Sequence, residues 1–247
     1  MTGVQTCALP ICVASLRYDK RGVAASARTL AAESDLRPQD EADDVAAWLR
    51  QLKDDPRFAA TILVGHSEGS LLGMLAVQKV PVAAFISLAG PGRRMVHVFR
   101  DQLARQLGGT LLDQANHILD ELDAGRGVAD IPAALSSVFR PSVQPYLIAL
   151  LKYDPSVELA KLTAPTLIGQ GTTDVQVAVT DAQALAAARP DAQVLIVDGM
   201  CHVLKMATID DADQRAVLSD PARPLAPALV DGINAFLDGS TQAIPGG

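Results

Sequence analysis

Residues 65–69 read Gly-His-Ser-Glu-Gly. A serine with glycine two positions before and after it can ride a sharp turn, because small residues let the incoming and outgoing chain approach closely. The run before it, "AATILV" (59–64), is apolar and partly β-branched, and "SLLGMLAVQ" after it is apolar nearly all round. A strand, a tight turn and a buried helix are expected, with the Ser67 hydroxyl raised at the strand's C-terminal end. There it would face the helix N-terminus, whose free backbone N–H groups favour a developing oxyanion. Ser67 is the candidate nucleophile.

A serine hydroxyl is a poor nucleophile at neutral pH and needs a base that is itself held by a third group. The chain has four histidines, His66, His97, His117 and His202. His66 is on the turn itself and is expected to line a substrate pocket or to pack. His97 and His117 fall on helical patterns, where a solvated or packed face is the default. His202 follows the last strand in "DGMCHVLK", on a loop that can swing over Ser67, and is the candidate base. For the orienting acid, Asp174 in "GTTDVQV" follows a separate strand, while Asp198 stands four residues before His202 and better suits a strand-end turn. Asp174 is preferred because the acid must reach the far ring nitrogen from another loop.

Other chemistries find little support. There is no H-E-x-x-H or C-x-x-C spacing and no glycine-rich phosphate loop, so neither metal nor other cofactor is expected. A net charge of −7 and a pI near 5.0 argue against nucleic acid or an anionic membrane as partner. Lys20-Arg21 and Arg93-Arg94 are expected to be solvated surface. No run reaches the roughly eighteen apolar residues of a membrane span.

From Val13 onward strands and helices alternate, which argues for a parallel sheet covered by helices. The expected strands are "VASLRYD" (13–19), "AATILV" (59–64), "VAAFISLA" (82–89), "PTLIGQG" (165–171) and "AQVLIVD" (192–198). Val45, Trp48, Leu49 and Leu52 share one helix face behind an N-cap at Asp40. Between the third and fourth of these strands the rhythm breaks. Phe99, Leu103 and Leu107 make one helical stripe, Leu111 to Leu122 another behind a cap at Thr110, and "YLIALL" (146–151) a third after Pro145. This all-helical insertion, about 92–161, reads as a cap, with ordinary packing helices as the alternative. Helices around 181–188 and along Leu229, Ile233 and Phe236 complete the pattern.

The chain resembles the α/β-hydrolase serine hydrolases, in particular capped bacterial carboxylesterases of serine-aminopeptidase-like type. The matching pieces are "LRYDKRGV", "TILVGHSEGSLLGMLA", "PTLIGQGTTDVQV" and "GMCHVLK", and the order Ser67, Asp174, His202 is the one found in that fold. The resemblance implies a doubly wound, mostly parallel sheet with a helical cap over an acyl pocket. It implies Ser67, Asp174 and His202 as triad, the backbone N–H of Glu68 as one oxyanion donor, and a small-molecule ester as substrate. Thioesterase, acyltransferase or small peptidase activity on the same fold is the alternative. Relatives usually carry glycine where Ala24 stands, which bears on a loop and not on the chemistry.

The opening "MTGVQTCALPIC" fits none of this. It carries no charge, lacks the basic start of a signal peptide, and spaces Cys7 and Cys12 too widely for a redox pair. Thr2 to Ile11 match the frame translation of a common short-read sequencing adapter, so residues 1–12 are expected to be a non-native leader and the hydrolase domain to span 13–247. By the resemblance, "VASLRYD" would then be the fourth of eight strands. The first three, with the His-Gly-type loop that supplies a second oxyanion donor, would be missing, leaving a gap beside the strand before Ser67. An inactive fragment is the expectation that follows for the chain as it stands.

Overall fold

A computed structural model of the chain describes residues 4–5 and 14–241. The expected leader therefore lies outside the described residues except for Val4–Gln5 (β1), which pairs antiparallel with Ser15–Leu16 (β2) in a ribbon apart from the main sheet. The main sheet has four parallel strands in the order β3 (Ile62–His66), β4 (Ala84–Leu88), β5 (Thr166–Gly171) and β6 (Gln193–Val197).

The two central strands are buried at every position, as continuous apolar runs such as "AFISL" require when helices cover both faces. Alternate side chains serve alternate layers. Ala84, Ile86 and Leu88 pack with Leu229 and Phe236 of the C-terminal helix. Phe85 packs on the other side with Met74, Val77 and Leu185. Burying a side chain of this size stabilises the fold by about 1.5–3 kcal/mol.

Two expected strands differ. The "VASLRYD" strand shrinks to β2, because it finds no place in the main sheet. Beyond it, residues 17–22 are an irregular segment pinned by side chains. Tyr18 meets Trp48 with ring centroids 5.8 Å apart, and Arg21 Nε donates to Asp44 Oδ2 at 2.7 Å. Lys20 is also engaged, with Glu41 and Glu68, so the Lys20-Arg21 pair is not free surface. The strand before Ser67 begins at Ile62 and is less buried than expected. Its partner is β4 alone among the described strands, and Val64 is 53% exposed.

Helix α1 (Pro38–Lys53) packs beside α2 (Glu68–Val77). Asp40 is one turn further in than expected. It stands at the third helical position and accepts the backbone N–H of Arg37 at 2.8 Å. Between β4 and β5 run α3 (Met95–Gln106), α4 (Gly109–Asp123), α5 (Ser136–Phe139), α6 (Gln144–Leu150) and α7 (Pro155–Ala160). Helix α4 starts after Gly108, so Thr110 lies in the first turn and does not cap it. The helical insertion has its own core, including Leu119, Leu122, Phe139 and Leu150, and it reaches Leu71 of α2. The insertion therefore rests on the helix that follows Ser67. Its entry is fixed by buried Asp181, which accepts from Gly92 N at 3.0 Å and from Arg93 Nη2 at 2.8 Å. After α8 (Val179–Ala188) and β6 come α9 (Asp211–Ser219) and α10 (Pro227–Thr241). Among the described residues, no helix is long and apolar enough to cross a membrane.

Candidate active site

The chain leaves β3, turns at Ser67 and enters α2 within one residue. Ser67 has φ 54° and ψ −127°, a left-handed conformation that a non-glycine residue adopts only when its surroundings impose it. Those surroundings can be named. Ser67 N donates to Leu88 O at 2.9 Å, and Ser70 N closes the turn on Ser67 O at 3.0 Å. Below it, Ser70 and Ser87 share a buried hydroxyl contact of 2.6 Å. Gly65 is required sterically, since a Cβ there would press on the Gly69 carbonyl oxygen and come within 2.6 Å of Ser70 Cα.

Ser67 Oγ lies 3.0 Å from His202 Nε2, and His202 Nδ1 lies 2.9 Å from Asp174 Oδ2. An ionised carboxylate only accepts, so Nδ1 carries the proton and Nε2 is free to accept from the Ser67 hydroxyl. Asp174 is buried, but its charge is well met. Oδ1 accepts the backbone N–H groups of Gln176 at 2.8 Å and Val177 at 2.9 Å, and Oδ2 also accepts from Gln170 Nε2 at 3.1 Å. The three side chains come from the C-terminal ends of β3, β5 and β6, where a parallel sheet gathers its loops. Asp198 is turned away and accepts from Thr172 Oγ1 at 2.8 Å, as a strand-end residue.

The backbone N–H of Glu68 heads α2 directly after Ser67, among the first-turn donors without an intrahelical partner. His97 and His117 are exposed on α3 and α4. Among the described residues, no group of three or more His, Cys, Asp or Glu side chains could hold a metal ion.

A model of the alpha/beta hydrolase family matches residues 8–228. The chain belongs to that family. Curated protein sequences show no match to it. Among solved structures, Est1E from Butyrivibrio proteoclasticus with ferulic acid bound is similar at a TM-score of 0.60 and 16% identity, over 94% of this chain and 79% of that one. The enol-lactonase from Burkholderia xenovorans LB400 is similar at a TM-score of 0.53 and 21% identity, over 94% of this chain and 83% of that one. At such identities the likeness speaks for the α/β-hydrolase fold.

Two features of this hydrolase site go beyond the sequence reading. His66 Nε2 lies 2.7 Å from the backbone oxygen of His202, and the two rings are 4.9 Å apart. A carbonyl only accepts, so His66 must donate through Nε2. Burial, foremost, pushes its pKa below the usual histidine range, which keeps the ring neutral at neutral pH. The loop bearing His202 is thus tied to the residue before Ser67. The second feature is Gln170, a buried amide near the C-terminal end of a fully buried strand. A polar residue four positions before Asp174 was the available signal.

Proposed function

We propose that this hydrolase cleaves carboxylic esters of small molecules through an acyl-enzyme on Ser67. Ser67 Oγ attacks the ester carbonyl as His202 Nε2 takes its proton, and Asp174 holds the resulting imidazolium in orientation. The Glu68 N–H faces the oxyanion. His202 then returns the proton to the leaving alcohol, and water repeats the cycle in reverse to free the acid and Ser67. Residues 92–161 act as a cap, with α3 to α7 forming the roof of the acyl pocket. His66, its Nε2 committed to His202, offers substrate the rest of its ring edge.

The observation that carries this reading is the unbroken hydrogen-bonded chain from Ser67 through His202 to Asp174. The test is hydrolysis of short-chain aryl esters, with labelling of the protein by a fluorophosphonate. Ser67→Ala is expected to abolish both. Ester turnover that survives unchanged in that variant overturns the proposal.

A further inference from the structure

We propose that Tyr146, in the helical insertion, is a positioning residue for the nucleophile turn and acts through the carboxylate of Glu68. The inference rests on the serine-hydrolase reading above and adds residues that the reading does not use. Tyr146 is on α6, buried among the apolar side chains that carry the insertion onto α2. Its hydroxyl lies 2.7 Å from Glu68 Oε1 and also 2.7 Å from Glu41 Oε2 of α1. Lys20 Nζ completes the group, 3.4 Å from Glu41 and 3.5 Å from Glu68. Four separate parts of the chain meet here: the segment after β2, α1, the turn at Ser67 and the insertion.

Glu68 directly follows Ser67, and its backbone N–H opens α2. A bond that holds its side chain also holds the peptide that would face an oxyanion. The strained φ at Ser67 makes such restraint consequential, because a conformation of this kind persists only where surrounding contacts over-determine it. Ser67 N–H on Leu88 supplies one restraint from the sheet side. Tyr146 supplies one from the insertion side.

The donors and acceptors define how the tie can work. A phenol has one proton, and two carboxylates compete for it. When Tyr146 donates to Glu68, Lys20 is left to Glu41; when it donates to Glu41, Lys20 serves Glu68. Either arrangement leaves neither the phenol nor a carboxylate without a partner. Burial, reinforced by the two nearby carboxylates, pushes the phenol's pKa well above its ordinary value, so Tyr146 stays a donor.

The experiment compares Tyr146→Phe, Glu68→Ala and the double variant in fluorophosphonate labelling, with the maximal rate separated from probe affinity. Tyr146→Phe is expected to lower the maximal rate about tenfold, the scale of one hydrogen bond to a charged group. Probe affinity should hold. Because Tyr146 acts through Glu68, the substitution should add nothing in the Glu68→Ala background. An unaltered rate, or an additive loss in the double variant, overturns the proposal. Glu68→Gln keeps an acceptor oxygen for the phenol and should recover most of the rate that Glu68→Ala loses; a Gln variant as slow as the Ala variant also overturns it. Hydrogen exchange gives a readout independent of chemistry. Tyr146→Phe should speed exchange in peptides covering 67–72, and unchanged protection there sinks the tie even if the wild-type protein proves inert to the probe. Failure of Ser67 to label in the wild type counts against the hydrolase reading instead.

Discussion

Asp174 accepts four hydrogen bonds with two oxygens, two from backbone N–H groups and two from the side chains of Gln170 and His202. No acceptor position is spare, which makes Asp174→Asn an incisive substitution. The new NH2 group must replace one oxygen and would face either the two backbone donors or Gln170 and His202. If it faces His202, the imidazole must present a bare Nδ1, and its proton moves to Nε2. That nitrogen can then no longer accept from Ser67. Asp174→Asn is expected to reduce kcat on the order of 10⁴-fold, by analogy with the same change in other Ser-His-Asp sites. The fold should survive, since shape and volume are nearly kept. A kcat within about tenfold of wild type would mean that Asp174 does not set the tautomer. His66 acts on the same histidine from the other side, through its backbone oxygen. His202 is therefore held at both its ring and its peptide.

The element that presents Ser67 is the strand–turn–helix unit of β3, Ser67 and α2, and its weak point is steric. A methyl group at Gly65 would run into backbone at Gly69 and Ser70, and backbone cannot rotate aside as a side chain can. Gly65→Ala is expected to destabilise the protein by about 1–3 kcal/mol, the usual cost of overpacking, read as a lower denaturant midpoint. It should also slow Ser67 labelling, because relief requires the turn to open. This unit was legible in the sequence: glycine at 65, apolar runs on both sides and serine between them specify a local geometry that needs few distant contacts. Asp174 and His202 were legible for a related reason, as both lie just beyond apolar, strand-like runs, although only β5 is buried throughout and β6 is an edge strand with Val194 and Ile196 exposed. What depended on distant partners was not. The "VASLRYD" run has strand-like composition yet forms two paired residues, because strand extent is decided by a neighbour. Val64 looks like core and is half exposed, because β3 pairs with β4 alone among the described strands. Tyr146 and Glu68 are 78 positions apart, and no spacing rule relates them; their meeting depends on how the insertion docks.

Across the whole molecule, buried or half-buried tyrosines stand at the joints between its parts. Tyr18 fixes the segment after β2 to α1 through Trp48, Tyr146 joins the insertion to α1 and the turn, and Tyr153 receives a hydrogen bond from Gln39 Nε2 at 2.6 Å. These are all the tyrosines in the chain, and burial is the leading cause that raises the pKa of each; Tyr18 is pushed up to about 12. An unfolded chain would release the phenolic protons near the ordinary value of about 10. The folded protein therefore holds protons that the unfolded chain has lost once pH passes that value. Its stability must be fully present below about pH 10 and fall as pH rises from there toward the native phenol values. Phenolate absorbance and loss of helical circular dichroism are accordingly expected to appear together, in one cooperative alkaline transition. Tyr18→Phe removes one raised phenol and should move that transition to higher pH, provided that the ring packing on Trp48 is kept. If all three phenols ionise near pH 10 while the helical signal stays intact, the joints are open to solvent in solution, and the insertion is not docked on α1 and α2 through Tyr146.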